Sequence, residues 1–421
     1  MADGPQTEGQ AGQTNSKMRE AYQSKANVLS RPIRVLYIQP HNWECGPYYS
    51  LRLLVANLDR ERFTPVVILP GPSVVAKELS QLQAEVHFDQ SIRLVPRTFS
   101  PASQLRFWAA MLSSMRRLAY FISKGGIGLV HVNSEACWIG GFAAKIAKVP
   151  IVSHLRGLTV LSPPWVGAFT SVILNKFNRT LIATSDQVKW AYLAAGVRPE
   201  LIRVIYNGLD VTVFDPQRAR PVLRSELAIV KGKPLVGMIA NLDPRKGHHD
   251  FVAACALVRE RVADVQFVIV GNTRLVNSTD YHRQVQQLVV KHDLTTAIQF
   301  LGLRDDIPEV LASLDVVVQP SLTEAGPRVP LEAMAMERPL VVTDVGGNSE
   351  EVIDGETGLV VPVGDVRAIA DSTIKLLSDR VLARRLGKAG RKRVLEIFTD
   401  AIHTRQVEDV YQNLLVNSLA H

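Results

Sequence analysis

The chain is poor in cysteine and contains no long apolar run. Only three of its 421 residues are cysteines, Cys45, Cys137 and Cys255, and they lie far apart in sequence. Because no C-x-x-C spacing occurs, we predict neither a disulfide scaffold nor a zinc or redox motif, and we expect a reducing compartment. No segment approaches the roughly 18–20 apolar residues that a membrane-spanning helix needs. We therefore expect a cytoplasmic globular protein.

The first thirty residues also lack the apolar core of a secretory signal. They are rich in Gln, Ser, Gly and Lys, so we predict that residues 1–30 form a disordered polar tail. The net charge of +8 favours acidic partners such as nucleotide sugars or an anionic lipid surface. Because neither zinc-finger spacing nor an RNP-type motif occurs, no nucleic-acid partner is expected.

What the sequence does contain is an alternation of short apolar runs with longer amphipathic stretches. Such an alternation is typical of βα units around a parallel sheet. In the first half the runs predict strands at 34–38, 65–69, 128–132, 150–153, 180–183 and 202–205. In the second half they predict strands at 234–239, 265–270, 298–301, 314–318, 340–342 and 359–361.

This pattern predicts an α/β protein with two Rossmann-like domains whose parallel sheets face each other across a cleft. Residues 211–233 carry charges and prolines but no strand, which indicates a linker. Apolar residues recur at helical spacing from about Ala401 to Leu415, which predicts a last helix. The predicted segments are an N-terminal domain 31–210, the linker 211–233, a C-terminal domain 234–395 and a terminal helical segment 396–421.

Two glutamates with seven residues between them, Glu324 and Glu332, are the most informative pair in the chain. An apolar strand precedes Glu324, and Glu332 lies in the helix predicted to follow at 331–336. In an open α/β sheet, ligands bind beyond the carboxyl ends of the strands and beside helix N-termini. A carboxylate accepts hydrogen bonds from two adjacent hydroxyls, which suits a ribose or a hexose.

The segment resembles the E-x7-E signature of retaining glycosyltransferases of family 4. The strand Pro339-Leu-Val-Val-Thr343, the pair Gly346-Gly347 and the segment 354–359 follow in the family's order. The resemblance implies the GT-B architecture, in which the C-terminal helix crosses back to the first domain. It also implies that Glu332 holds the ribose of a nucleoside-diphosphate sugar and that Glu324 holds hydroxyls of the donor sugar.

A second matching loop, 240–247, follows the first strand of the second half. The family usually shows an Arg early in this loop and then Lys-Gly; here Lys246 and Gly247 match, and Asn241 replaces the Arg. The resemblance implies that Lys246 stabilises the diphosphate as the glycosidic bond breaks, which is electrostatic catalysis. Arg245 is a candidate to take over the missing charge. The alternative for this loop is a solvated basic turn.

The loop before the Glu332 helix supplies further donor-binding candidates. Backbone N–H groups at a helix N-terminus bind phosphate or sugar oxygens, and Gly326 permits a close approach of the backbone. Pro327 removes one donor. Arg328 is unusual at its position and is a candidate phosphate contact, although a surface role is an open alternative. With Val329 these residues complete the predicted donor loop.

In the first half, three strand ends supply candidates for the acceptor or diphosphate side. Gly46 is the remaining glycine of a loop that is glycine-rich in relatives, and Tyr48 and Ser50 are candidates to face the acceptor. Asn133 replaces the second His of the family's His-x-His, so it bonds hydroxyls but does not shuttle protons. Arg156 is a candidate contact for an anionic acceptor or the donor phosphate.

The sequence contains no Asp-x-Asp, the motif that holds a divalent ion in metal-dependent GT-A enzymes. This absence predicts metal independence, and the resemblance implies a retaining glycosyltransferase without a cofactor that acts on a hydroxyl acceptor. Two alternatives stay open. One is a GT-B-fold sugar-nucleotide epimerase. The other is a weakened subunit that binds a nucleotide sugar, which the departures at Asn241 and Asn133 leave possible.

A stretch from Gln104 to Lys124 predicts one long amphipathic helix. Its apolar stripe at 105, 108, 111, 112, 115, 118, 119 and 122 is typical of a crossover helix packed on the first sheet. Additional aromatic residues flanked by arginines also suit an interfacial helix on anionic lipid. We therefore expect peripheral contact with the inner face of a membrane and a lipid-linked acceptor. The aromatic and basic residues are Arg106, Phe107, Trp108, Arg116, Arg117, Tyr120, Phe121 and Lys124.

Overall fold

The computed structural model describes residues 31–92, 94, 101–158, 161, 164–272 and 278–418, and only the backbone of 101–110, 278, 417 and 418. Within these ranges, thirteen strands form two sheets. The first seven strands are β1 (Ile33–Ile38), β2 (Phe63–Leu69), β3 (Glu85–Phe88), β4 (Ile127–Val132), β5 (Ile151–Leu155), β6 (Thr180–Ala183) and β7 (Ile202–Val204). The other six are β8 (Leu235–Ile239), β9 (Gln266–Val270), β10 (Ile298–Gly302), β11 (Val316–Gln319), β12 (Leu340–Thr343) and β13 (Leu359–Val361).

Both sheets are parallel and doubly wound. The first has the strand order β3-β2-β1-β4-β5-β6-β7 and the second β10-β9-β8-β11-β12-β13. Every strand pairing that joins them is parallel. All strands of a sheet therefore end at one edge, which is where ligands bind in such folds. This confirms the predicted fold of two Rossmann-like domains.

Helices cover both faces of the two sheets. In the first half they are α1 (Gly46–Asn57), α2 (Val74–Gln81), α3 (Pro101–Lys124), α4 (Ile139–Ala147), α5 (Pro164–Phe177) and α6 (Asp186–Ala194). In the second half they are α7 (Leu223–Glu226), α8 (His248–Arg261), α9 (Ser278–Lys291), α10 (Ile307–Ser313), α11 (Val329–Ala335), α12 (Asn348–Glu351), α13 (Val366–Ser378), α14 (Arg380–Ile397) and α15 (Asp400–Ser418).

The twelve apolar runs identified in the sequence all coincide with strands, within one or two residues at each end. One strand, β3, was not predicted. Its sequence Glu-Val-His-Phe is short and polar, and its burial pattern shows no fully buried residue. As the edge strand of the first sheet it pairs on one side alone, with β2, so it needs no continuous apolar run.

The last helix, α15, packs against the first domain. Its buried side chains Val407, Val410, Tyr411 and Leu414 belong to the same apolar cluster as β1, β2 and α1. The Tyr411 hydroxyl is hydrogen-bonded to the ring of His131 on β4 and lies 3.3 Å from the Tyr37 hydroxyl. The crossing of the last helix back to the first domain is thus present in this chain.

Helix α3 is a crossover helix, as one of the two interpretations of its stripe predicts. Met111, Leu118, Ala119 and Ile122 are buried in a cluster with β1, β2 and β4. The prediction is wrong for Leu112, which is 62% exposed, because a helical repeat alone does not fix how wide the buried stripe is. The side chains of Phe107 and Trp108 lie outside the described residues. Among the helices that the structure describes, none is long and apolar enough to span a bilayer.

The segment predicted as a linker contains α7 and packs against the second sheet. Phe214 and Leu223 are buried in a cluster with β8, β11 and β12. Arg224 Nε on α7 donates to the Ser313 carbonyl at 2.9 Å, which ties the segment to the second half. The predicted tail, residues 1–30, and the last three residues of the predicted terminal segment lie outside the described residues.

Candidate functional site

The loop after β8 is a tight turn that fixes Lys246. Pro244–Lys246 forms one 3-10 turn, which Asp243 caps by accepting the Arg245 N–H. The turn ends at Gly247, whose φ of +75° is accessible to glycine, and a Cβ there would lie 1.9 Å from the Pro320 carbonyl oxygen. Gly247 therefore allows the turn after β8 to touch the loop after β11.

That contact brings together two of the residues singled out from the sequence. Strands β8 and β11 are neighbours, and the Leu322 N–H donates to the Arg245 carbonyl at 2.7 Å. Lys246 Nζ then lies 2.7 Å from Glu324 Oε1. The same oxygen accepts the Ser321 hydroxyl at 2.7 Å. Glu324 is only 7% exposed, whereas Lys246 remains 28% exposed, so the pair is open to a ligand on the lysine side.

The second glutamate is held by Arg328. Glu332 lies in the first turn of α11, and its Oε1 is 3.6 Å from Arg328 Nε, one helical turn earlier. Both side chains are largely buried, at 12% and 17% exposure. Burial raises the pKa of the Glu332 carboxyl, and the Arg328 charge opposes that rise. Arg328 also lies over the Tyr49 ring of the first domain, 5.8 Å from its centroid.

Gly326 joins the predicted donor loop to the first domain. Its carbonyl accepts the Asn207 side-chain N–H at 3.0 Å, and a Cβ at Gly326 would lie 2.9 Å from Asn207 Nδ2 and 3.0 Å from Thr184 Cβ. The close approach that the glycine permits is therefore to the first domain. Pro327 and Val329 continue the loop into α11, and neither has a side-chain hydrogen-bonding group.

On the first domain, Arg156 lies where β5 ends. Its Nε donates to Asn133 Oδ1 at 2.8 Å, and its backbone N–H donates to Glu135 at 2.9 Å. Asn133 is 1% exposed and donates both amide hydrogens, to Gln39 Oε1 at 2.6 Å and to the Pro47 carbonyl at 2.9 Å. Asn133 therefore orients Arg156 from within the protein.

Two guanidinium groups, one from each domain, contact adjacent residues of the chain. Arg156 Nη1 lies 3.3 Å from Asn207 Oδ1, and Arg328 Nη1 lies 3.5 Å from the neighbouring Gly208 carbonyl. Burial lowers the pKa of Arg156 to about 10; the Glu135 charge opposes this, and the Arg328 charge adds to it. Because the Arg328 charge acts on Arg156, an anion that binds beside these two groups would be stabilised by both charges.

The loop after β1 differs from the prediction. Helix α1 begins at Gly46, and a Cβ there would meet no atom within 4 Å. The expectation that Tyr48 faces the acceptor is wrong, because Tyr48 is fully buried and its hydroxyl bonds Glu78. Ser50 is also buried and donates to Asn207 Oδ1 at 2.9 Å. The open position at this edge is thus Gly46 at the helix N-terminus.

The two remaining candidates of the β8 loop bond groups other than Glu324. Arg245 is 55% exposed and forms a bidentate ion pair with Asp243. This pairing raises the pKa of Arg245. The Asn241 side chain is the acceptor of a long bond from the Asn272 N–H, at 3.4 Å. Lys246 is therefore the member of this loop that meets Glu324.

Two acidic residues of α12 were not assigned a role from the sequence. Glu350 accepts the Asp186 and Gln187 N–H groups at 2.7 and 2.9 Å, at the N-terminus of α6 in the first domain. Glu351 is fully buried, and neither carboxyl oxygen has a hydrogen-bond partner. Burial and the nearby Glu324 and Glu350 charges raise its pKa well above the usual value. The Glu350 contact joins residues about 164 positions apart, so it has no local sequence signal.

Over the ranges that the structure describes, no group of three or more His, Cys, Asp or Glu side chains is arranged to hold a metal ion. The predicted metal independence is not tested by this and stays a prediction. The site consists of Lys246, Glu324, Arg328 and Glu332 on the second domain, and of Arg156 with Asn133 on the first.

Comparison with protein families gives two matches that together cover most of the chain. Residues 49–213 match the model for glycosyltransferase family 4, and residues 219–393 match the model for glycosyl transferases group 1. EpsD of Bacillus subtilis, whose name places it among the glycosyltransferases, is 31% identical over 368 residues, covering 80% of this chain and 91% of EpsD. A second relative is UDP-Gal:alpha-D-GlcNAc-diphosphoundecaprenol alpha-1,3-galactosyltransferase of Escherichia coli. It is 26% identical over 391 residues, covering 88% of this chain and 97% of the relative.

A solved structure, HepE from Anabaena in complex with UDP-glucose, superposes with a TM-score of 0.77. It is 24% identical, and the likeness covers 90% of this chain and 100% of HepE. At this identity the likeness concerns the fold, which is that of two facing Rossmann-like domains.

Proposed function

Because the chain belongs to the GT-B glycosyltransferases, we propose that it transfers a sugar from a nucleoside-diphosphate sugar to an acceptor hydroxyl with retention of configuration. The observation that carries this proposal is the Lys246–Glu324 pair, 2.7 Å apart, beside Glu332 at the carboxyl edge of the second sheet. A cation for the diphosphate and two carboxylates for sugar hydroxyls are what such a donor requires.

Each side chain has a separate task in this proposal. Glu332 binds the ribose hydroxyls, and Glu324 binds hydroxyls of the transferred sugar. Lys246 then turns from Glu324 towards the diphosphate and stabilises the negative charge that develops on it. Arg156 and Arg328, which contact the adjacent residues Asn207 and Gly208, add positive charge on the same leaving group.

The proposed transfer reaction needs no protein side chain as a base. The bond from the sugar's anomeric carbon to the phosphate oxygen breaks, and a bond to the acceptor oxygen forms on the same face. The acceptor's proton passes to the departing phosphate. His131 and His154 do not serve as the base in this scheme, because burial lowers the pKa of both rings well below the usual value and they bond each other at 2.7 Å.

The acceptor that we propose is lipid-linked. The Escherichia coli relative carries the name of an enzyme whose acceptor is a diphosphoundecaprenol-linked sugar, and it covers nearly the whole chain. The epimerase alternative would need an acid and a base in the cleft, and no described residue pair favours it. Sugar transfer by the purified protein would distinguish an active enzyme from the alternative, a weakened subunit that only binds the donor.

The test begins with donor identification. A ligand at 100 times its dissociation constant adds about 2.7 kcal/mol to the free energy of unfolding, so thermal melts with a panel of nucleoside-diphosphate sugars identify the donor. Purified protein should then release the nucleoside diphosphate and form an α-linked product from an α-linked donor, as read by NMR of the anomeric proton. Binding without turnover towards any acceptor tried, lipid-linked ones included, would indicate a binding subunit. Activity lost in EDTA and restored by magnesium would contradict metal independence.

A further inference from the structure

The outward face of α5 is apolar along most of its length. On this helix, the residues before Asn175 that the structure places as exposed are Pro164, Trp165, Ala168, Phe169 and Val172. Trp165, Phe169 and Val172 are exposed by 53%, 42% and 59%. The helix contains no Asp or Glu. A surface helix of a globular protein normally turns its charged and polar residues outward, so this face, called the α5 face below, reverses the usual arrangement.

A strongly basic pocket lies at the end of α5, beside the amino ends of β5, β6 and β7. The cavity has a volume of about 880 Å³, and its one acidic lining residue is Glu200, which pairs with Arg198 at 3.6 Å. Its exposed basic residues, called the basic pocket below, are Lys145, Lys148, Lys176, Arg179, Arg198 and Arg203.

The α5 face and the basic pocket form one continuous surface. Lys176 lies one helical turn beyond Val172, and its Nζ is 6.0 Å from the centre of the Phe177 ring. Lys145 of α4 approaches the same ring at 5.4 Å. Ile146, next to Lys145, is 52% exposed. An apolar strip that passes directly into a cluster of cations suits one kind of partner, an anionic lipid surface.

We propose that the α5 face and the basic pocket dock this protein on an anionic membrane. Aromatic side chains of the α5 face enter the interfacial region of the bilayer, and the basic pocket binds the lipid phosphates. The excess of six cations over one acid in the pocket supplies the charge complementarity. The claim that this surface binds the membrane depends only on these residues. The claim that the membrane supplies a lipid-linked acceptor rests on the proposed function.

This orientation places the cleft next to the membrane. Strand β5 ends at Leu155 and delivers Arg156 to the site, whereas α5 starts at Pro164 and runs back towards the opposite edge of the sheet. A helix of 14 residues is about 21 Å long. Trp165 therefore lies at the cleft end and the basic pocket at the far end. A lipid-linked acceptor would present its polar head to the cleft beside Trp165.

A second copy of the chain suits this surface less well. A two-fold interface presents the same patch on both subunits, so a dimer centred on the junction of the α5 face and the basic pocket would bring two clusters of six cations together. That repulsion opposes association through this surface, whereas a lipid bilayer supplies the opposite charge.

The test is vesicle flotation of the full chain with phosphatidylcholine alone and with phosphatidylcholine containing phosphatidylglycerol. We expect binding to the anionic vesicles at low salt and release at high salt. Lys176→Glu/Arg179→Glu should weaken partitioning by about 30-fold, from about 1 kcal/mol for each basic residue lost. The matched control is Arg380→Glu/Arg384→Glu on α14, which changes the charge equally on exposed residues of the second domain and should leave binding unchanged.

Trp165→Phe supplies a variant that keeps the fold. With brominated lipids, the tryptophan fluorescence of the parent protein should be quenched, and Trp165→Phe should lose most of that quenching. Wild-type protein that fails to float with anionic vesicles at low salt overturns the proposal. Equal loss of binding in both charge variants, or unchanged quenching in Trp165→Phe, also overturns it, as does a solution dimer that Trp165→Ala/Phe169→Ala dissociates. Donor-induced thermal shifts without lipid report on the proposed function separately.

Discussion

Lys246 Nζ lies 2.7 Å from Glu324 Oε1, so the two residues assigned to phosphate and sugar are ion-paired with each other. They lie 78 positions apart in sequence. In this arrangement the lysine neutralises a carboxylate that is only 7% exposed and would be costly to bury alone. Donor binding must break this ion pair. Glu324 then binds sugar hydroxyls, and Lys246 binds phosphate oxygens.

The first prediction concerns Lys246→Ala. We expect kcat to fall by about 10², by analogy with the removal of one oxyanion donor, and donor affinity to change less, because charge develops on the diphosphate in the transition state. Steady-state kinetics with the cognate donor measure both values. Arg245→Ala is the neighbouring control and should keep nearly full activity, because that side chain pairs with Asp243. An unchanged kcat in Lys246→Ala would show that Lys246 does not stabilise the diphosphate.

The second prediction concerns Glu332→Gln. A hydrogen bond to a charged group is worth roughly 1.5–3 kcal/mol, so donor affinity should fall about 10- to 150-fold while kcat changes little. Titration calorimetry with the nucleoside diphosphate measures the loss. Glu356→Ala, an exposed residue of the same domain, is the control. A folded Glu332→Gln protein with full affinity would contradict the ribose assignment.

The third prediction concerns the contact between domains at Glu350. Its carboxylate accepts two N–H groups at the N-terminus of α6, and the loss of such a cap costs about 1 kcal/mol. Glu350→Ala should lower the melting temperature and increase the radius of gyration measured by small-angle X-ray scattering, because the domains separate more readily. Asp344→Ala, an exposed change nearby, should do neither. Identical scattering from both variants would show that the Glu350 contact does not keep the two domains together.

The fourth prediction concerns the pH dependence that Glu351 imposes. Its pKa is raised in the folded protein, mainly by burial and then by the charges of Glu324 and Glu350. The folded chain therefore keeps a proton that the unfolded chain releases above about 4.3, and this residue lowers stability as the pH rises from there. Glu351→Gln lacks this effect, so its gain in melting temperature over the parent should grow between pH 5 and pH 8. A constant or shrinking difference would mean that Glu351 ionises normally.

Much of the fold follows from local sequence because fully buried parallel strands leave a continuous apolar signature. The runs around Leu36 and Val268 need no knowledge of their neighbours. Strand β3 at Glu85–Phe88 is different: at the edge of the sheet, pairing with β2 alone determines it. The width of the α3 stripe likewise depends on what packs beside it, which is why Leu112 was misplaced.

At the site, the sequence indicated candidate residues but not how their side chains are paired. Glu324 and Glu332 were found from their spacing, and Lys246 from its loop. The pairing of Lys246 with Glu324 and of Arg328 with Glu332 depends on contacts between separate loops. Asn207 shows the limit most clearly. An Asn-Gly pair is typical of a tight turn, and this local pattern gives no sign that the Asn207 amide contacts Ser50, Arg156 and Gly326.

Helix α15 has a consequence for how the chain is made. Its side chains Tyr411 and Leu414 complete the apolar cluster of β1 and α1, although ribosomes synthesise those two elements more than three hundred and fifty residues earlier. We therefore expect that the first domain cannot complete its apolar core before α15 has been synthesised, and that this face stays exposed to chaperones until then. We expect nascent chains stalled before residue 400 to remain sensitive to protease in the first domain, and protection at that stage would show that α15 is dispensable.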